Sequence, residues 1–175
     1  MRHSPISLPL MVGALLAMGC VRIPENIKPV GSFESDRYLG NWYEIARLDH
    51  SFERGLTNVT ATYSLREGGG LKVVNQGWSA EKGIWKTATG KAFFVEDAHQ
   101  GYLKVSFFGL FYGSYIVFEL DQEGYQYALV AGPDKSYLWL LSRSPKMNSA
   151  KQEELINKAK GFGFDTQKLV FVDHG

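Results

Sequence analysis

The sequence predicts an all-β domain, and three observations carry that prediction. Beyond about residue 32 apolar and polar side chains alternate with period two. The alternating runs are short and separated by turn residues, which is the pattern of an up-and-down barrel or a sandwich. Finally, Gly40-Asn41-Trp42 has a candidate partner about a hundred residues later in Arg143, and that pairing suggests a closed barrel. A glycine before the tryptophan lets the backbone turn tightly while the indole seals one end. A late arginine can lay its guanidinium over that indole, a stack worth roughly 0.5–2 kcal/mol when shielded from water.

The N-terminus comes first. Arg2 and His3 precede an apolar run over residues 6–18, interrupted only by Ser7, Pro9 and Gly13. It is too short and too broken to span a bilayer and reads as a signal peptide, residues 1–19. Its end, Leu16-Ala17-Met18-Gly19-Cys20, resembles a bacterial lipobox, in which a small residue precedes a cysteine that becomes acylated. Cys20 is also the only cysteine, so in an exported chain it has no disulfide partner. Lipidation of Cys20 with two or three acyl chains would give stable membrane attachment where one would be marginal. Val21, rather than Asp, follows Cys20, which by resemblance to enteric lipoproteins favours the outer membrane. Residues 20–32, with Pro24 and Pro29 and no apolar periodicity, read as a lipidated tether, and residues 33–175 as one domain.

The strands then follow in order. The first contains Trp42. In the second, Val59, Ala61, Tyr63 and Leu65 alternate with polar neighbours, and the glycine run at 68–70 turns the chain into a return strand bearing Leu71 and Val73. No Lys-Ser or Lys-Thr follows those glycines, so they are a hairpin and not a phosphate loop. Further strands are expected at 86–95, 103–107, 115–120, 125–130 and 137–142, eight in all. Eight strands enclose an interior just wide enough for one small ligand. One helix follows, capped by Asn148 or Ser149, with Leu155, Ile156 and Ala159 on one face and Gly161 or Gly163 at its end. Residues 169–172 are apolar enough for a short extra strand.

These motifs, in this order, resemble the three signature regions of the lipocalins: Gly-x-Trp, then residues 127–134 ending Gly132-Pro133-Asp134, then Arg143. The resemblance spans about 33–172 and is strongest to the bacterial outer-membrane lipocalins, relatives of apolipoprotein D. Many lipocalins read Thr-Asp-Tyr in the second region, whereas this chain reads Tyr125-Gln126-Tyr127. The resemblance implies an eight-stranded up-and-down antiparallel β-barrel with one C-terminal helix packed outside. It also implies a cavity kept open for a lipophilic guest, a fatty acid or lysophospholipid, held for storage, transport or salvage when the envelope is stressed. The expected location is the outer membrane, lipid-anchored and facing the periplasm.

Composition agrees with a binding domain. The chain has 175 residues, 45% hydrophobic and 14% aromatic, enough for one domain with a substantial core. Removing residues 1–19 takes one base and no acid from 19 basic and 18 acidic residues, so the remainder is formally neutral and a nucleic-acid partner is disfavoured. The four histidines, His3, His50, His99 and His174, are scattered, and no zinc or nucleophile motif occurs. No catalytic residue, metal or cofactor is expected. Glu96-Asp97 and Glu153-Glu154 read as solvated pairs.

If Arg143 reaches Trp42, strand parity turns Tyr137, Trp139 and Leu141 inward with it, and puts Glu44 and Ala46 on the side of Trp42. The expected lining is therefore Trp139, Tyr63, Tyr137, Val73, Ala61 and the rare inward acid Glu44. The hydroxyls of Tyr63, Tyr112 and Tyr137 and the mouth residue His50 are candidates to hold a polar head group, with Trp42 and Arg143 as the closing pair. Residues 107–113 read as an apolar, glycine-punctuated loop. Buried, it would be a plug; exposed, it would suit a membrane, an acyl chain or a second copy in a homodimer. Two rival classes remain open: a barrel filled by its own side chains that serves as an interaction module, and a lipid enzyme using Glu44.

Overall fold

The computed structural model describes residues 21–175. The expected signal peptide at 1–19 and the acylation candidate Cys20 lie outside the described residues.

Eight strands close into a barrel: β1 (Gly40–Leu48), β2 (Leu56–Leu65), β3 (Leu71–Ser79), β4 (Ile84–Phe94), β5 (Tyr102–Phe108), β6 (Phe111–Leu120), β7 (Tyr127–Ala131) and β8 (Leu138–Ser142). Each pairs antiparallel with its neighbour in sequence, β8 returns to β1, and the β1–β2 pairing from Gly40↔Tyr63 to Tyr43↔Thr60 closes the ring. A ninth strand, β9 (Leu169–Phe171), covers the free upper edge of β1 at Ala46–Leu48. A four-residue helix, α1 (Ser35–Tyr38), leads into β1. It has no periodicity to read, because one turn is too short to show any.

Alternation divides the apolar residues into two clusters. One lies inside the barrel, with Trp42, Tyr63, Val73, Ala92, Leu103, Val130 and Leu141 among its members. The other, including Ile116, Leu129, Ala131, Leu138 and Leu140, lies on the outer wall beneath α2 (Ser149–Gly161). The Asn148 side chain accepts from the Ala150 and Lys151 amides at 3.0 and 3.2 Å, satisfying two of the orphan donors at the start of that helix. Leu155 and Ala159, four apart on one face, are the residues α2 buries, and Ile156 is half-buried beside them.

Three features differ from the sequence expectation. The β1–β8 register shifts between Glu44 and Ala46, so a bulge breaks the parity of β1. Ala46 joins the outer cluster, and Arg47 turns inward in its place. Residues 107–113 are not a loop: β5 and β6 run into a tight hairpin around Gly109, at φ +60°, and Leu110, leaving Phe108, Leu110 and Phe111 exposed. Residues 21–32 have no regular structure, yet they are laid along the barrel wall. Pro24 and Ile27 are buried, and Val30 donates to Val117 O and accepts from the Gly101 amide, both at 2.9 Å.

Candidate functional site

The two ends of the barrel are built differently. Where β1 begins and β8 ends, the Arg143 guanidinium lies 4.0 Å from the Trp42 ring centroid, and Trp42 is wholly buried. Arg143 also donates to three carbonyls, Asn41 O at 2.9 Å, Arg37 O at 2.7 Å and Tyr125 O at 3.2 Å, which ties α1, β1 and the β6–β7 turn together. Gly40, at φ +93°, holds a backbone that other residues rarely adopt, and a side chain there would meet Arg143 Nη1 at 3.4 Å. The divergent Tyr125-Gln126-Tyr127 segment keeps these contacts. Tyr125, at φ +52°, is buried, its hydroxyl accepts from the Glu34 amide at 3.0 Å, and the Arg37 guanidinium sits 4.2 Å from its ring centroid. Phe33 and Tyr38 pack above the Trp42 end and complete the seal.

Just inside this floor is a tyrosine trio. The Tyr115 hydroxyl lies 2.7 Å from that of Tyr38 and accepts from that of Tyr63, also at 2.7 Å. Burial, above all, pushes all three phenols up, so they stay protonated as hydroxyl donors and acceptors in an otherwise apolar chamber.

Above the trio, the wall is aliphatic and aromatic. Ala61, Val105, Phe107, Tyr115 and Trp139 face inward by parity, yet each remains only half-buried. Inward side chains that keep accessible surface are not fully enclosed by their neighbours. Val73 is fully packed into the wall. Asn75, further along the same face, has its Oδ1 buried without a hydrogen-bond partner.

Toward the other end lies a buried polar cluster. The β1 bulge aims Arg47 inward, where Nη1 donates to Glu44 Oε1 at 2.6 Å and Nη2 to Glu53 O at 2.7 Å. Glu53, from the β1–β2 connection, folds over this end; its Oε2 accepts from Trp139 Nε1 at 3.2 Å and lies 3.1 Å from His50 Nε2. His50 is stacked on Phe52 at 3.9 Å and lies against Trp139 and Tyr137. Two carboxylates and one guanidinium in a dry setting cannot all be charged comfortably. Burial first, then the negative charge of Glu53, pushes the Glu44 carboxyl up to about 8 against the pull of Arg47. Burial acts upward on Glu53 too, but His50, Trp139 and Arg47 outweigh it and hold that carboxyl below its ordinary value. Glu44 therefore carries the proton of the pair at neutral pH and Glu53 the charge.

Of the residues singled out in the sequence, Ala61, Tyr63, Val73, Trp139, Tyr137, Glu44 and His50 line the interior or its upper end. Tyr112 does not. Because β6 starts at Phe111, parity turns Tyr112 outward, where its ring lies near Phe93 and within 5.6 and 5.3 Å of the Lys91 and Lys104 ammonium groups. Arg47, Glu53, Tyr38 and Tyr115 were not picked out. Tyr115 was within reach, since it shares a face with Val117 on an expected strand. Arg47 and Glu53 gave no signal, because a bulge and a loop trajectory place them. Among the described residues, no group of His, Asp and Glu side chains is arranged to hold a metal ion.

Comparison with known proteins agrees with this architecture. Residues 33–174 match the family described as Lipocalin-like domain. The chain is 56% identical over 163 residues to Outer membrane lipoprotein Blc of Vibrio cholerae, covering 93% of this chain and 95% of that protein. It is 48% identical over 170 residues to the protein of the same name from Escherichia coli K12, covering 94% and 96%. Apolipoprotein D of Macaca fascicularis is 31% identical over 81% of this chain and 77% of its own. Among solved structures, insecticyanin from the tobacco hornworm Manduca sexta superimposes with a TM-score of 0.70 at 26% identity, over 88% of this chain and 87% of that one.

Proposed function

The chain belongs to the lipocalin family, and from that premise we propose that it binds a fatty acid or lysophospholipid inside the barrel, as an outer-membrane lipoprotein anchored through Cys20 and facing the periplasm. The observation that carries this reading is the half-buried, inward-facing set Ala61, Val105, Phe107, Tyr115 and Trp139, in a barrel sealed at one end by Trp42 and Arg143. An acyl chain would lie along these side chains. Each methylene removed from water gains roughly 0.8 kcal/mol, so even a partly inserted chain exceeds the ordering cost of binding. The polar head would meet His50 and Tyr137, beside the Glu44–Arg47–Glu53 cluster. The two relatives named as outer membrane lipoproteins, each matched over most of its length, support the anchored reading of Cys20. The role would be to store, move or salvage envelope lipids under stress.

Glu44 supports binding better than turnover. A carboxyl held at 2.6 Å by Arg47 and protonated at neutral pH is a poor general base. The test is lipid mass spectrometry on purified residues 21–175, without the anchor, beside a mock purification. Stoichiometric fatty acid or lysophospholipid supports the carrier. A protein that is empty and also fails to bind added lipid overturns it.

A further inference from the structure

We infer that the open end of the barrel faces the bilayer that carries the anchor, with its apolar rim seated in the phospholipid surface. The inference rests on the proposed acylation of Cys20 and adds an orientation that acylation alone does not supply.

In an up-and-down barrel the β1–β2, β3–β4, β5–β6 and β7–β8 connections all lie at one end, opposite the Trp42 seal. At that end Phe52 is 55% exposed, Ile84 50%, Trp85 56%, Phe108 78%, Leu110 82% and Phe111 66%. The opposite connections carry one such residue, Leu65, and otherwise present Arg66, Glu67, Glu96, Asp97, Gln122 and Glu123 to solvent. Six large apolar side chains at or beside the tips of three turns are a surface that water does not favour.

The start of the described chain says what covers it. The Arg22 amide donates to Ser114 Oγ at 2.7 Å, Ser114 Oγ donates back to Arg22 O at 2.6 Å, and Arg22 Nε donates to Pro133 O at 3.0 Å. Ser114 is three residues from the Phe111 tip and Pro133 belongs to the β7–β8 connection, so Arg22 is pinned beside the open rim. Three residues of strand span about 10 Å. Cys20 is two residues from Arg22, so its Cα lies at most about 7–8 Å away. Acyl chains on Cys20 therefore enter a bilayer within about 20 Å of the rim along any path, with no flexible spacer between them. Residues 21–32 run from there down the wall to Phe33 at the sealed end, held by the Val30 hydrogen bonds, so the point at which the chain leaves the barrel toward Cys20 is fixed beside the rim. At the rim Asp49, Glu53, Glu81 and Asp134 are matched by Arg22, Arg54, Lys82 and Lys135, so apolar insertion and not attraction to anionic lipid would seat it. An acyl ligand could then pass between bilayer and barrel without crossing water.

The test uses the full acylated protein in phosphatidylethanolamine–phosphatidylglycerol vesicles containing phospholipid brominated high on the acyl chain. The mass of the Cys20 peptide and vesicle flotation report the anchor; tryptophan quenching reports the rim. Seating predicts strong quenching that Trp85→Phe largely abolishes, that Leu110→Ser with Phe111→Ser cuts by more than about half, and that high salt leaves unchanged. All three positions are exposed, so folding survives and circular dichroism checks it. Anchored protein whose quenching is absent, or indifferent to these substitutions, overturns the orientation while leaving the lipid-carrier reading intact. A detergent-solubilised dimer that Leu110→Ser and Phe111→Ser convert to monomer, with no quenching in vesicles, also overturns it, making the rim an interface between copies. An unmodified Cys20 in protein that does not float overturns the anchor itself.

Discussion

Replacing Glu44 with Gln should stabilise this protein progressively as pH rises, and the effect can be worked from the cluster around Arg47. The Glu44 carboxyl ionises near its ordinary 4.5 in the unfolded chain and at about 8 in the fold, because it is buried and because Glu53 already holds the negative charge opposite Arg47. Between those values the folded chain binds more protons than the unfolded chain, so stability falls as pH rises and levels off above the upper value. At roughly 1.4 kcal/mol per pH unit, the complete displacement corresponds to a loss on the order of 5 kcal/mol between pH 5 and pH 9. Glutamine has the shape of the protonated acid and still accepts the 2.6 Å hydrogen bond from Arg47 Nη1, but has nothing to ionise. Glu53, whose carboxyl is held low, loses its contribution only as pH falls through its own folded value, below this window. Urea unfolding of wild type and Glu44→Gln at unit steps from pH 5 to pH 9 would isolate the Glu44 contribution as the difference between two curves. Similar stability at pH 5 and a gap widening to several kcal/mol by pH 9 is the expected result. Parallel curves, or a wild type that gains on the variant as pH rises, would show that Glu44 is charged in the fold and refute the argument.

Arg143→Ala removes the stack on Trp42 and three hydrogen bonds to carbonyls, and is expected to cost about 2–4 kcal/mol in denaturant unfolding. Arg143→Lys should recover only part, since an ammonium cannot reproduce the planar fork. Ala61→Phe places a ring in the interior; displacement of a fluorescent fatty acid should show affinity falling about tenfold or more with the melting temperature little changed, whereas unchanged affinity would place the ligand elsewhere. Asn148→Ala removes the cap of α2 and should cost about 1 kcal/mol without affecting lipid binding. Tyr115→Phe deletes the hydroxyl that Tyr38 and Tyr63 share and should destabilise by about 1–3 kcal/mol, again measured by urea unfolding.

Much of this molecule is legible before folding is considered. The strands at Val59–Ala61–Tyr63, Leu71–Val73 and Tyr137–Trp139–Leu141 could be read because alternation records directly which side chains share a face. The 68–70 glycine turn, the Asn148 cap and the Trp42–Arg143 pair follow from equally local chemistry. Parity misleads wherever a single residue slips. At Ala46 a bulge reversed it, and at Tyr112 a strand that starts earlier than its pattern turned a presumed head-group contact toward the outer lysines.

The sequence by itself determined short alternating strands of a barrel or sandwich, a tryptophan–arginine pair, one capped helix and aromatic residues sharing a face, because period, turn residues and caps are properties of neighbours along the chain. The eight-stranded closure and the helix's place outside it came from the resemblance to lipocalins. Only the tertiary structure decided that Arg47, Glu53 and His50 meet Glu44 in one buried cluster, that Tyr38, Tyr63 and Tyr115 join hydroxyls, and that Arg22 is pinned beside the exposed rim. Those arrangements depend on one bulge, on the path of a loop over the barrel end and on contacts between residues up to 111 positions apart. None of them leaves a periodic trace, since what brings the groups together is closure of the sheet.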